Sequence, residues 1–179
     1  MIARDVIEAF IDGKKDGFDR VYEAYSPGMF IISLRYTRCK DDAEDVLQEA
    51  FIKIFNNRDK YDIERPIGAW IKTITIRTAL NYIKEHYKFD LKDDESYFDK
   101  AIQLDSQENP QQDLKNKLIA VLNRLPDGYR TIFNLYTIDN LTHKEIASYL
   151  GVSEGTSKSQ YSKAKKMIKQ LLQTERVAS

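Results

Sequence analysis

The residues with the most legible chemistry lie near the C-terminal end. Thr142-His143-Lys144-Glu145 has the spacing of a capping box, in which a Thr hydroxyl and a Glu carboxylate each satisfy a free amide at a helix start. Gly151 can take the left-handed conformation that closes a tight turn, and Ser153 can cap a following helix, Glu154 to about Leu172. Tyr161, Ala164, Ile168 and Leu171 mark the inward stripe of that helix, leaving Lys158, Ser159, Ser162, Lys163 and Lys166 outward. From Ser153 to Leu172 there are five Lys and one Glu, the kind of charge that neutralises DNA phosphates. Two helices joined by a Gly turn, the first with a small inward Ala147 and the second long and basic, predict a helix-turn-helix whose second helix enters the major groove.

The opposite charge dominates an earlier stretch. Between Asp41 and Ile52 there are five acids and no base, so one face of this segment is an acidic row. Ala43, Val46, Leu47, Ala50, Phe51 and Ile54 recur at helical spacing and predict a core-facing stripe on the other face. Asp41, Asp42, Glu44 and Asp45 suit the positive end of the helix dipole, and a carboxylate row also suits electrostatic recognition of a basic partner.

Other chemistries lack the residues they need. Cys39 is the only cysteine, which leaves no intrachain disulfide and no Cys-based zinc site; an inert thiol at a helix end is its plain reading. His86 and His143 belong to no metal-ligand spacing, and the sequence has no nucleophile motif and no Gly-rich phosphate loop. An enzyme is not expected, nor a cofactor. No apolar run approaches the roughly 20 residues of a bilayer span, and MIARDVIEAF has acids where a signal peptide is apolar. No membrane insertion and a cytoplasmic location are expected.

These groups must be positioned by helices. With 7 Gly and 4 Pro in 179 residues and little strict alternation, the 3.6-residue period dominates and the chain reads as all-α. The formal charge of zero hides a segregation: 14 Lys/Arg against 15 Asp/Glu over residues 1–87, 3 against 7 over 88–112, and 11 against 6 over 113–179. The acidic, polar segment Phe89 to Gln112 lacks periodicity and reads as a flexible linker. Two small helical domains, 1–88 and 113–179, are therefore expected around a linker at 89–112.

In the first domain the pattern predicts helices over Arg4 to Ile11, Gly17 to Arg38, Asp41 to Phe55, and from Pro66 to about Tyr87. The second carries Phe18, Val21, Tyr22 and Tyr25 inward and a kink or break near Ser26, where Pro27 and Gly28 interrupt it. In the second domain a stripe of Leu114, Leu118, Val121, Leu122 and Leu125 runs to Pro126. Pro126 opens a helix with Ile132, Phe133 and Tyr136 inward.

At this level of detail a family resemblance appears. LTHKEIASYLGVSEGTSKSQYSKAKKMIKQLL, preceded by LNRLPDGYRTIFNLY, closely resembles the C-terminal promoter-binding domain of bacterial sigma factors. YSPGMFIISLRYTRCKDDAEDVLQEAFIKIF followed by GAWIKTITIRTALNYIKEH looks like the sigma domain that binds the polymerase clamp and opens DNA. Only two domains are present, as in the extracytoplasmic-function (ECF) group of the sigma-70 family.

The resemblance implies that 1–88 is region 2 and 113–179 region 4, and that core RNA polymerase (clamp and flap) and promoter DNA are partners. An anti-sigma factor is a further candidate partner. It implies polymerase docking through Asp42, Asp45, Gln48 and Glu49. It implies minus-10 reading and strand opening through Lys60, Tyr61 and Asp62 of the loop and Arg77, Asn81 and Lys84 of the next helix. Minus-35 contacts carry over to Lys158, Ser159, Gln160, Ser162 and Lys163, with Gln160 standing where relatives commonly have Arg. Leu125, Tyr129 and Phe133 resemble positions near the flap contact. The rival reading is a one-component helix-turn-helix regulator acting without core polymerase, which needs a ligand pocket and a dimer interface.

Overall fold

The computed structural model describes residues 2–86 and 118–177, with side chains as far as Gln173. The chain divides into two compact units, Met1–Tyr87 and Lys88–Ser179. Among the described residues every regular element is helical. The expected linker, and the start of the stripe at Leu114, fall outside them.

Unit 1 holds α1 (Arg4–Ile11), α2 (Lys15–Tyr36), α3 (Lys40–Asn56), a short 3₁₀ turn (Arg58–Lys60) and α4 (Ile67–His86). Its core is drawn from all four helices and includes Phe10, Val21, Ile32, Val46, Ala50, Ile54, Ile71 and Ile83. The turn between α1 and α2 depends on two glycines. Gly13 sits at φ +74°, and a Cβ at Gly17 would lie 2.3 Å from the backbone nitrogen of Phe10, so only hydrogen lets the two helices approach this closely.

Of the kink or break expected near Ser26, the break does not occur, and α2 runs on through Pro27. Proline removes one ladder donor, but Pro27 and Gly28 are exposed, so no core contact is disturbed. Val21 on one side and Met29, Ile32 and Leu34 on the other are buried, which holds both halves on one core. Tyr22, expected inward, is exposed.

Unit 2 contains α5 (helical over 118–123), α6 (Asp127–Phe133), a π turn (Asn134–Ile138), α7 (His143–Leu150) and α8 (Glu154–Val177). One part of its core joins Val121, Leu122 and Leu125 to Leu171, with Tyr129, Phe133, Met167 and Ile168 packed against them. Leu118, expected on this stripe, is 44% exposed, because Ile119 and Leu122 take the inward places. Tyr136, also expected inward, is exposed. The π turn widens the helix by a residue, and Asn134 and Leu135 face the core in its place.

Candidate functional site

In α3 the apolar and acidic faces separate as the spacing dictates. Ala43, Val46, Ala50, Phe51 and Ile54 are buried, while Asp41, Glu44, Asp45, Gln48 and Glu49 are exposed. Glu49 pairs with Lys53 one turn on at 2.6 Å, and Lys40 with Glu44 at 3.6 Å. Asp42 differs from the other acids. It is half-buried, and its Oδ1 accepts a hydrogen bond of 2.8 Å from the Tyr82 hydroxyl of α4. Cys39 caps α3, its Sγ accepting from the Asp42 amide at 3.4 Å, and burial pushes its thiol pKa up.

Beside the acidic row, α2 and α3 enclose a groove of about 930 Å³. Its wall is aromatic and aliphatic: Phe18, Tyr22, Leu47, Phe51 and Phe55, with Ile52 54% exposed at its side. Glu44 and Gln48 stand at the same groove. Lys15 and Lys40 line it too, so the rim is mixed in charge, and an apolar groove of this kind can receive an amphipathic helix. Tyr22 was assigned to the core by its helical spacing; groove lining by large exposed apolar residues is not distinguishable from core in a linear pattern.

On the other side of α3 lies a basic cleft of about 460 Å³, formed by the end of α3, the loop after it and α4. Lys60, Arg77 and Asn81, all expected from the sequence, meet here with Lys53, Asn57, Trp70 and Thr78. Lys60 donates to Asn57 Oδ1 at 2.9 Å. The buried Thr78 hydroxyl has no hydrogen-bond partner among the described residues. Three cations, two amides and an indole around one concavity suit a nucleobase with its phosphate. Lys84 is exposed on the same helix, outside the cleft.

Tyr61 is not the exposed ring that the sequence implied. It is 7% exposed, its ring centroid lies 5.1 Å from that of Trp70, and its hydroxyl donates to the Arg65 carbonyl. Burial raises its pKa. Trp70 is the aromatic that reaches the cleft. The signal was available: Trp70, Ile74, Arg77 and Asn81 recur at i, i+4, i+7 and i+11. Asp62 is exposed but engaged within its loop, accepting from the Glu64 amide at 3.1 Å and pairing with Arg65 at 3.3 Å.

In unit 2 the capping box forms as expected. Thr142 Oγ1 accepts from the Glu145 amide at 3.3 Å, and Glu145 Oε2 from the Thr142 amide at 2.7 Å. The Thr142 hydroxyl, 2.7 Å from the same carboxylate oxygen, and after it the Thr142 amide hold the Glu145 carboxyl below its usual pKa. Gly151 is left-handed at φ +69°, and Ser153 Oγ accepts from the Thr156 amide at 2.9 Å. Lys158, Ser159, Ser162, Lys163 and Lys166 are all exposed along α8. Lys158 pairs with Glu154 at 2.7 Å.

Gln160, carried over as a minus-35 contact, is 5% exposed and faces inward with Ser157, Ala164 and Leu171. The reason is positional: 157, 160, 164 and 171 form one helical stripe, and an amide has been accepted into it. Ser157, fully buried, bonds through its Oγ to His143 Nδ1 at 2.9 Å. The His143 ring stacks on Tyr136 at 4.2 Å and meets Tyr161 edge-on at 5.6 Å. Leu125, Tyr129 and Phe133 belong to the core of this unit.

Among the described residues no group of three His, Cys, Asp or Glu side chains is arranged to hold a metal. Among them, too, no helix is long and apolar enough to cross a membrane.

Residues 21–89 match the family described as Sigma-70 region 2, and residues 115–168 the one described as Sigma-70, region 4. The chain is 29% identical over 156 residues to the ECF RNA polymerase sigma factor SigM of Bacillus subtilis (strain 168), covering 86% of this chain and 93% of the relative. It is 26% identical over 182 residues to SigW of the same organism, covering 96% and 97%. In fold it is similar to the sigma factor RpoE crystallised with the anti-sigma factor NepR from Bartonella quintana. There the TM-score is 0.56 at 21% identity, covering 87% of this chain and 96% of that one.

Both units therefore fall within one class, the two-part promoter-recognition subunits of bacterial transcription. The chain belongs to the sigma-70 family, in its extracytoplasmic-function group. It is a sigma factor, directing promoter-specific transcription by RNA polymerase.

Proposed function

We propose that residues 1–88 bind the polymerase clamp and read and open the minus-10 element, that 113–179 bind the minus-35 element, and that 89–112 tether the two. In this reading Asp45, Gln48 and Glu49 meet a basic surface of the clamp, beside the apolar groove of α2 and α3. Lys60, Arg77 and Asn81, with Trp70, receive a displaced base in the basic cleft, and Lys84 holds backbone phosphate nearby. Opening a duplex without nucleotide hydrolysis requires such sites, each stacked base contributing about 1–3 kcal/mol. Lys158, Ser159, Ser162 and Lys163 face the minus-35 groove.

The protein is non-enzymatic and works in the cytoplasm, where its polymerase is. A flap contact and capture by an anti-sigma factor follow from the same family logic, the latter supported by the RpoE relative crystallised with one. The observation that carries the reading is one chain bearing an acidic helix face on one unit and a capped helix-turn-helix with a basic face on the other.

In vitro transcription with core polymerase on a promoter library tests it. Transcription from a defined subset of promoters, only when chain and core are both present, is expected. Sequence-specific binding and regulation by the chain without core would favour the one-component regulator instead.

A further inference from the structure

The apolar packing of α4 stops short of its end. Ile83 is its last buried residue, and Lys84, Glu85 and His86 are exposed. The packing of α3 likewise begins only at Ala43, after the exposed Lys40 and Asp41. At the edge of that core the two helices are joined by the 2.8 Å bond from the Tyr82 hydroxyl to Asp42 Oδ1, forty residues apart in sequence. Tyr82 in turn steadies the last turn of α4: the His86 ring stacks on it at 4.1 Å and 14°, with His86 Nδ1 3.0 Å from the Tyr82 carbonyl. Asn81 and Lys84, placed above at DNA, flank Tyr82 on this stretch.

We propose that Asp42 is a positioning residue for the promoter-reading helix rather than a polymerase contact, acting through Tyr82 to hold the end of α4. The inference rests on the sigma-factor reading of unit 1. Three observations support it. Asp42 is half-buried where Asp45, Gln48 and Glu49 are exposed. A bond from a neutral donor to an ionised acceptor is among the stronger hydrogen bonds, and here it joins α3 and α4 at the rim of their shared apolar core, beside Ala43 and Ile83. Burial, followed by the Asp42 carboxylate, drives the Tyr82 phenol well above its usual pKa, so it remains a donor at any pH at which the protein works. The link also connects the helix that docks on polymerase with the helix that reads DNA.

The test uses holoenzyme reconstituted from the full chain and core polymerase, measuring affinity for core and permanganate reactivity of the opened promoter for each variant. Tyr82→Phe and Asp42→Ala should each lower open-complex formation about tenfold, as the loss of a hydrogen bond to a charged group implies. Affinity for core should be unchanged. The double variant should lose no more than either alone, because both remove one bond. Asp42→Asn, whose amide oxygen can still accept, should retain most of the opening.

If Asp42→Ala weakens core binding and Tyr82→Phe does not, Asp42 is a direct polymerase contact and the proposal fails. Opening equal to wild type in Tyr82→Phe and Asp42→Ala overturns it equally. A wild-type holoenzyme that opens no promoter would instead overturn the underlying assignment of unit 1.

Discussion

Helices α3 and α8 carry charged outer faces of opposite sign, and they are held in place by different means. Behind the acids of α3 lie Ala43, Val46, Ala50, Phe51 and Ile54, an inner face with no polar member. Behind the lysines of α8 lie Ser157, Gln160, Ala164 and Leu171, half of them polar. The position of α3 is fixed by apolar burial, which is indifferent to pH and to the charges outside. The first half of α8 is fixed by the His143 bond to Ser157, the Tyr136 and Tyr161 rings and the two caps. Those depend on individual atoms and on protonation. The difference teaches that an outer face can be rewritten freely on α3, whereas on α8 the surface and its support are closer to one system.

The largest effect expected from this contrast is on polymerase binding. Asp45→Lys with Glu49→Lys should abolish affinity for core, since like charges against a basic partner cost several kcal/mol. The helix should stay folded, losing only a few tenths of a kcal/mol from the Glu49–Lys53 pair. Circular dichroism and a core-binding assay separate the two, and unchanged affinity would mean that the acids are merely solvated.

A smaller loss is expected at DNA. Replacing Lys158 and Lys163 by Ala should weaken duplex binding at every sequence and flatten the salt dependence by about 0.9 log unit of slope per lost phosphate contact. Lys158 must leave Glu154 to reach phosphate. A loss confined to promoters with one base pair would assign base reading to one of them instead. Titrating minus-35 duplexes at several salt concentrations decides between these outcomes.

Smaller again is the cap. Thr142→Ala should cost unit 2 about 1 kcal/mol, read as weaker amide protection in α7. No comparable loss is expected from Cys39→Ala at the start of α3, where the sulfur accepts at 3.4 Å and the apolar face holds the helix. Equal losses at both sites would erase the contrast.

The smallest effect is on pH. Burial and, after it, the Lys158 charge hold His143 below its usual pKa, with Glu154 acting the other way. The unfolded chain then takes up the proton first as pH falls. Stability from this group is complete above the ordinary imidazole range and declines as pH drops through that range toward the folded value. Amide protection factors of α7 and α8 should fall between about pH 7.5 and 5.5, and those of α3 should not. His143→Phe, which keeps the ring stack, should remove the dependence.

Much of this architecture was legible in the sequence. The stripe from Ala43 to Ile54, the Thr142 box, the Gly151 turn and the Ser153 cap are local patterns, each set by residues within two turns of one another. What the sequence hid depends on neighbours far along the chain. Tyr61 is buried because the loop brings its ring, tilted at 45°, to within 5.1 Å of Trp70 on the next helix. Asp42 leaves the acidic row because Tyr82 comes to meet it. Gln160 is a different case, a polar residue on the inward stripe of Ser157, Ala164 and Leu171. Pro27 failed to break α2 because a break is decided by what packs on either side of the proline.

The central claim is that DNA opening belongs to the chain and polymerase together. In the proposed assignment each DNA contact lies on a small unit, and core polymerase should fix their spacing and turn two weak contacts into one strong one. Permanganate footprinting of a cognate promoter, with the chain alone, core alone and both combined, measures this directly. The account predicts reactive minus-10 thymines only in the combined sample. Comparable reactivity with the chain alone would contradict it.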